Sequence, residues 1–353
     1  MASRVLTTVP GKAILVGEHA AVYGAPALVA GVGLRLAAKL SATSSAGVDL
    51  DLPDLGHREQ SPFDDLQREA DAAREQWQSW QRGEGALPEV SPQSRPGRVV
   101  RLALAESLRA VRDRGADVPS GLRLEVRSEL PLGAGLGSSA AVAVAVAAAV
   151  ARLSGTLDNA LIETVAGEVE KRQHGSPSGV DVAAVLRGGV LRVARGPEGL
   201  QFETLSAAAS GRLDELSLLH SGSPGQSTGE VVSAVRSLRE SSPAVVEGAC
   251  AEIEGAETDL RTALEAGAAL APAIRRAHRA LVSLGVVPEA VQRPIRWIEE
   301  AGGAAKISGA GALEGSGAGL VLAVLPEGTA AVPSPWRRFE APLGAPGLQT
   351  SEG

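Results

Sequence analysis

Apolar positions in the first forty residues fall in short runs broken by glycine and proline: Val5-Leu6-Thr7-Thr8-Val9, Ala13-Ile14-Leu15-Val16 and Ala27-Leu28-Val29-Ala30. Runs of this length and composition predict strands. The pattern changes over about 52 to 98, where Pro53, Pro62, Pro88, Pro92 and Pro96 flank a polar stretch from Leu66 to Arg82 that reads as an exposed helix within a lid-like insertion. Helical apolar spacing returns from Val99 to Arg114, and alternation over Leu122-Arg123-Leu124-Glu125-Val126 predicts a strand. An Ala/Val helix from Ser139 to Ser154, a helix from about Asn159 to Arg172 and a buried strand at Gly189–Val193 follow. A second unit opens near residue 210, with a strand at Leu216–His220, three helical stretches between about 228 and 301, and a strand at Leu320–Val324. The Gly/Pro-rich tail from Ala341 to Gly353 predicts a mobile end. This gives a domain over 1–210, a second over 211–340 and a tail over 341–353.

Composition narrows the function classes. The 353 residues carry 34 Lys and Arg against 41 Asp and Glu, a formal charge of -7. No basic run is present, which argues against a nucleic-acid or membrane-surface partner, because phosphate backbones are held by clustered cations. The one cysteine, Cys250, allows neither an internal disulfide nor a thiolate metal cage, and the longest apolar run, Ala140–Ala151, is too short to span a bilayer. A cytoplasmic setting is the expectation. Only four basic residues are Lys, namely Lys12, Lys39, Lys171 and Lys306. Where Arg is otherwise preferred, each Lys marks a position at which a compact ammonium and a planar fork are not equivalent.

Four segments carry candidate chemistry. Gly133-Ala134-Gly135-Leu136-Gly137-Ser138-Ser139 lies between a predicted strand and a helix start. Alternating glycines let backbone N–H groups turn inward at a helix N-terminus, which suits a phosphate chain. The segment lacks the Gly-Lys-Ser/Thr ending of the Walker loop and the spacing of the dinucleotide fingerprint; the structural alternative is a helix entry capped by Ser138 or Ser139. Second, Glu170 precedes His174-Gly175-Ser176-Pro177-Ser178-Gly179-Val180-Asp181, so two carboxylates flank a tight turn. They suit a base and a metal ligand, against the alternative of Asp181 as a helix N-cap. Third, Pro10-Gly11-Lys12 precedes Gly17-Glu18-His19 and Tyr23-Gly24. Lys12 between apolar strands needs an anionic partner, either Glu18 or a phosphate or base. Fourth, Lys306-Ile307-Ser308-Gly309-Ala310-Gly311 opens a second glycine-rich loop that ends at Gly319, or else a flexible hairpin connection.

Taken in order from Pro10 to Gly319, these segments resemble the three motifs of the GHMP small-molecule kinase superfamily, and most closely its mevalonate kinase branch. The resemblance implies an α+β fold with an N-terminal mixed α/β domain containing a left-handed crossover, a C-terminal ferredoxin-like domain and an active site between them. It implies ATP and Mg²⁺, with a small hydroxy-acid acceptor. Asp181 corresponds to the catalytic base and Lys12 to the residue that lowers the substrate hydroxyl's pKa or stabilises charge. Ser139 and Glu170 correspond to metal ligands, and Gly133, Ala134, Gly135, Leu136, Gly137, Ser138 and Ser139 to the triphosphate loop. Lys12, Glu18, His19, Asp181 and Thr228 correspond to acceptor-site residues. Family members often form homodimers, but no exposed apolar stripe marks such an interface here. The chain departs from the pattern at Ser176, where Asn is usual, and at Ala312-Leu313-Glu314, which interrupts the third motif's glycines. Phosphomevalonate as acceptor would call for further cations, with Lys171, Arg172 and Arg187 as candidates, and a catalytically silent ligand sensor would have no need of Lys12, Glu170 and Asp181 together.

Overall fold

The computed structural model describes residues 4–85, 97–197, 199–326 and 335–352. Pro88, Pro92 and Pro96 of the expected insertion lie outside the described residues. The chain opens with strands β1 (Arg4–Val16) and β2 (Ala27–Ala42), then β3 (Gly47–Leu52) and β4 (His57–Ser61). Helices α1 (Phe63–Gln81) and α2 (Arg98–Asp113), strand β5 (Gly121–Ser128) and helices α3 (Ser138–Leu153), α4 (Asn159–His174) and α5 (Val180–Arg187) follow. Strands β6 (Val190–Gly196) and β7 (Gly199–Thr204) and the short α6 (Ala207–Gly211) lead to β8 (Ser217–His220). Helices α7 (Thr228–Ser241), α8 (Pro243–Ala266), α9 (Ala271–Ser283) and α10 (Glu289–Glu300) precede β9 (Ala304–Ser308), β10 (Leu320–Val324), β11 (Arg337–Phe339) and β12 (Gln349–Glu352).

Two sheets organise these elements. The larger runs β12-β1-β2-β5-β3-β4, with β6 and β7 joined through β2. The smaller runs β11-β8-β10-β9 and is antiparallel throughout. Its spatial order is fourth, first, third, second, the order of a ferredoxin-like unit. Helix α3 is buried along almost its whole length and packs against α2, α4 and the β1–β2 ribbon. Its alanines let it sit close to the sheet, and Thr7 Oγ1 on β1 donates to the Ala145 carbonyl at 2.8 Å. A helix apolar all round belongs in a core, and replacing one of these alanines with a large residue would overpack it.

The structure corrects several expectations. The separate apolar runs at 5–9 and 13–16 are one strand, β1; its register against β2 shifts between Pro10 and Gly11, which face Arg35 and Val32, so the two unmatched residues lie on β2 and the proline and glycine do not break the strand. Strands β3, β4, β7, β9, β11 and β12 have no counterpart in the sequence reading, and the 228–301 region holds four helices where three were expected. The polar helix around 66–82 is α1, which buries Leu66, Ala70 and Ala73 and is tied to α2 by Arg101–Glu69 at 2.8 Å and Arg74–Glu106 at 3.0 Å. That packing is not that of an open lid. The tail expected to be mobile is docked: β12 pairs with β1, and Gly344 and Ala345 donate to the Gly31 carbonyl. Among the described residues no helix is long and apolar enough to cross a membrane.

Candidate active site

Just past this register shift of the β1–β2 ribbon, Lys12 lies against the glycine loop that precedes α3. The Lys12 amide donates to the Leu136 carbonyl at 2.9 Å. A Cβ at Gly11 would meet Leu130 Cδ2 at 2.6 Å, and one at Gly137 would meet Lys12 Cγ at 2.7 Å. Gly137 is also left-handed, with φ 73°. Glycine is therefore required there twice over, by backbone conformation and by the approach of the lysine stem. Ala134 and Leu136 are buried, and Gly133 and Gly135 between them are exposed, so the loop turns its apolar side chains into the core and its glycine backbone outward.

Gly137 is the N-cap of α3, and no side-chain cap bond is made there. Ser138 and Ser139 are the first helical residues, which excludes the reading in which either caps the helix. The positive end of the helix dipole and the first N–H groups therefore have no side-chain cap among the described residues. Ser139 Oγ instead donates to Glu170 Oε1 at 2.5 Å. Glu170, in the last turns of α4, is 3 % exposed, and burial pushes its carboxyl pKa up, with His174 acting in the opposite direction.

Asp181 reaches the same place from α5. The N-cap of α5 is Gly179, at φ 83°, so Asp181 is the second helical residue and not the cap. The first helical turn favours a negative charge. Lys12 Nζ lies 3.1 Å from Asp181 Oδ1, with the lysine buried and the aspartate partly open to solvent. Lys12 thus pairs with Asp181 and not with Glu18. The turn before α5 is braced by α1: Trp77 Nε1 donates to the Gly175 carbonyl at 2.9 Å.

The other expected acceptor-site residues divide. Glu18 accepts from Lys306 Nζ, a fully buried pair that joins the two sheets. His19 has left-handed backbone, φ 58°, and its Nε2–H donates to the Ala310 carbonyl at 2.9 Å. Burial pushes the His19 pKa down, which favours that neutral donor. Both residues therefore fasten the loop after β1 to the third glycine-rich segment. Thr228 is exposed at the start of α7, and among the described residues no side-chain hydrogen bond joins it to Lys12, Glu18, His19 or Asp181. Glu314 is exposed and within 3.5 Å of Gln226 Nε2, whose Oε1 accepts from the Leu313 amide at 3.2 Å. The sequence reading gave Lys306 and Ser308 no role, although the scarcity of Lys had singled out Lys306.

Among the described residues no three His, Cys, Asp or Glu side chains cluster as a self-sufficient metal cage. The Ser139 hydroxyl and Glu170 carboxylate beside a phosphate-type loop are nonetheless hard oxygen donors of the kind that bind Mg²⁺ when substrate phosphates complete its shell.

A model of the GHMP kinases N terminal domain matches residues 99–189, which include the glycine loop, Glu170 and Asp181. Mevalonate kinase of Thermococcus gammatolerans is 30% identical over 337 residues, covering 92% of this chain and 90% of the relative. The mevalonate kinase of Mus musculus is 30% identical over 275 residues, covering 70% of this chain and 66% of the relative. The crystal structure of the Methanococcus jannaschii mevalonate kinase superposes with a TM-score of 0.71 at 18% identity, covering 96% of this chain and 98% of that one. Lactococcus lactis galactokinase complexed with galactose superposes equally well, TM-score 0.71 at 15% identity over 99% of this chain and 95% of that one, so the fold alone leaves the acceptor open. With a helix terminus freed by Gly137, a Lys–Asp pair at its mouth and relatives alike over nine-tenths of its length, the chain belongs to the GHMP kinases, a family of phosphotransferases.

Proposed function

We propose that this kinase transfers the γ-phosphoryl group of ATP to the primary hydroxyl of mevalonate, giving 5-phosphomevalonate for isoprenoid precursor synthesis. The observation that carries the reading is the Lys12–Asp181 pair at 3.1 Å beside the uncapped start of α3. Phosphoryl transfer asks little covalent chemistry of a protein; it asks for alignment and for charge stabilisation. Asp181, partly open to solvent and in the first turn of α5, accepts the proton of the acceptor hydroxyl. Lys12 holds that carboxylate in place and stabilises the developing alkoxide. The N–H groups of Gly133–Ser139 hold the phosphate chain. Ser139 and Glu170 would hold Mg²⁺, which when bound neutralises phosphate charge.

The choice of acceptor is supported by which candidate cations are already engaged. Lys171 pairs with Glu168 at 2.7 Å, Arg172 is buried between Glu168 and Glu106, and Arg187 pairs with Glu163 at 2.9 Å. The three candidate cations for a phosphorylated acceptor are thus already engaged with carboxylates, which supports mevalonate over phosphomevalonate. An ADP-release assay with mevalonate, phosphomevalonate, homoserine and galactose offered in parallel tests the reading. Mevalonate is expected to be turned over at least tenfold better than the others; preference for another acceptor overturns it, and ATP binding with turnover of none points to a silent sensor.

A further inference from the structure

Three contacts fasten the third glycine-rich segment to the first strand and its loop. Lys306 Nζ donates to the Glu18 carboxylate and to the Ile307 carbonyl at 2.7 Å, and lies 3.5 Å from the Ile14 carbonyl. Ser308 Oγ donates to the Ile14 carbonyl at 2.9 Å and accepts from the Ile14 amide at 3.0 Å. His19 Nε2 meets the Ala310 carbonyl. Residues 306, 308 and 310 of the smaller sheet's border thereby grip 14, 18 and 19 of the larger, next to Lys12.

We propose, resting on the reading above, that Lys306 is a positioning residue whose ammonium occupies the buried Glu18 carboxylate and so leaves Lys12 committed to Asp181. The second oxygen of Glu18, Oε2, is buried and has no hydrogen-bond partner. A buried carboxylate with one oxygen already unpartnered draws in whatever cation can reach it. Lys12 is on the same strand, two residues from Ile14, whose carbonyl lies 3.5 Å from Lys306 Nζ. Lys306 is pushed below its usual pKa first by burial, against the pull of Glu18, and further by the Lys12 charge. Without Lys306, Glu18 and Asp181 compete for one lysine. With it, two buried or half-buried acids each have a lysine, and the pairing also sets how the two sheets meet.

Lys306→Met, Glu18→Gln and the double variant separate this from a purely structural ion pair. Lys306→Met is expected to lower kcat for mevalonate by about a hundredfold, the upper range of coupling between contacting groups, with ATP affinity within threefold of wild type. The double variant, which removes the competing carboxylate, is expected to recover at least about tenfold of that loss. A double variant no better than Lys306→Met, or a kcat loss that only follows the folded fraction at the assay temperature, overturns the proposal. A crystal structure of Lys306→Met gives a readout free of the acceptor's identity: Lys12 Nζ is expected to leave Asp181 for Glu18, and an unchanged Lys12–Asp181 pair overturns the proposal even if mevalonate proves not to be the acceptor. Should Lys306→Met fail to fold, Lys306→Gln, which keeps an uncharged donor to Glu18, is read in the same ways.

Discussion

Lys12 Nζ and Asp181 Oδ1 stand 3.1 Å apart although one side chain leaves the first strand and the other the first turn of a helix far along the chain. Asp181→Ala is expected to lower kcat by about 10² to 10⁴, the usual worth of a positioned base, while ATP affinity stays within a few-fold. Lys12→Met is expected to lower kcat by about 10² or more with little change in thermal midpoint, because the aspartate it leaves behind is partly solvated. Steady-state kinetics and calorimetric ATP titration decide both. Substantial residual turnover in Asp181→Ala would sink the base assignment, and parallel losses of activity and stability in Lys12→Met would make the pair structural.

Gly137→Ala places a Cβ on the Lys12 stem at a left-handed position. The backbone penalty alone is roughly 1 kcal/mol, and the displaced lysine is expected to reduce kcat/KM at least about tenfold. Gly167, inside α4 with nothing within 4 Å of its added Cβ, is the contrast. There alanine is expected to raise stability by up to about 1 kcal/mol, with kcat unchanged. Denaturant melts and kinetics on the two variants check the difference.

Ser139→Ala and Glu170→Gln are expected to shift the Mg²⁺ requirement. Each removes one hard oxygen from a two-residue set, and the metal concentration for half-maximal turnover should rise by roughly tenfold. A Mg²⁺ titration at saturating ATP shows it. An unchanged midpoint in both variants would assign the Ser139–Glu170 hydrogen bond to architecture alone.

Trp77→Phe keeps an aromatic side chain but removes the N–H that donates to the Gly175 carbonyl, together with the five-membered half of the indole. The bond is worth about 1 kcal/mol, and with the lost ring atoms a modest fall in the melt is expected. Because the turn it braces delivers Asp181, the expected readout is a several-fold fall in kcat. Equal kinetics for the two proteins would show that α5 holds Asp181 without help from α1.

His278 on α9 is buried, its Nδ1 has no partner, and its pKa is lowered to about 4 by burial, reinforced by Lys306, Arg279 and Arg296. Its folded pKa lies below its unfolded one, so the neutral ring contributes stability that is complete above the unfolded value of 6.5 and is lost as pH falls through that window towards about 4. The loss amounts to about 3 kcal/mol at most. Urea midpoints from pH 7 to pH 4 are expected to fall less steeply in His278→Leu than in wild type. Parallel profiles would show that other groups carry the acid limb.

What the sequence made legible was chemistry tied to local pattern. Gly133–Ser139 announces itself by alternating glycines before an apolar helix, and Glu170 and Asp181 flank a turn that only Gly175 and Gly179 allow. Lys12 was conspicuous as an ammonium among apolar neighbours. Its partner was not, since Glu18 is close in sequence and Asp181 close only in space. Strand β9 was hidden because Ala304-Ala305-Lys306-Ile307-Ser308 lacks alternation: every residue in it is buried, charge included. Strands β4, β7 and β12 are short, polar and peripheral in the larger sheet, so neither period nor propensity marks them. The tail looked free for the same reason, its glycines serving close packing: a Cβ at Gly347 would meet Arg187 backbone at 2.4 Å.

The pairing of β12 with β1 also constrains how the molecule is made. Residues 349–352 complete the edge of a sheet whose other strands all lie before residue 205. During synthesis the larger sheet therefore waits, with one flank of β1 unpaired, while the whole ferredoxin-like unit is translated, and closure comes only when residue 352 has cleared the ribosome. An open strand edge is a template for pairing with another chain. Nascent copies stalled or cleaved between β11 and β12 are thus the species most prone to join one another, and a detached peptide spanning 341–352, supplied in trans, is the reagent that fits the gap.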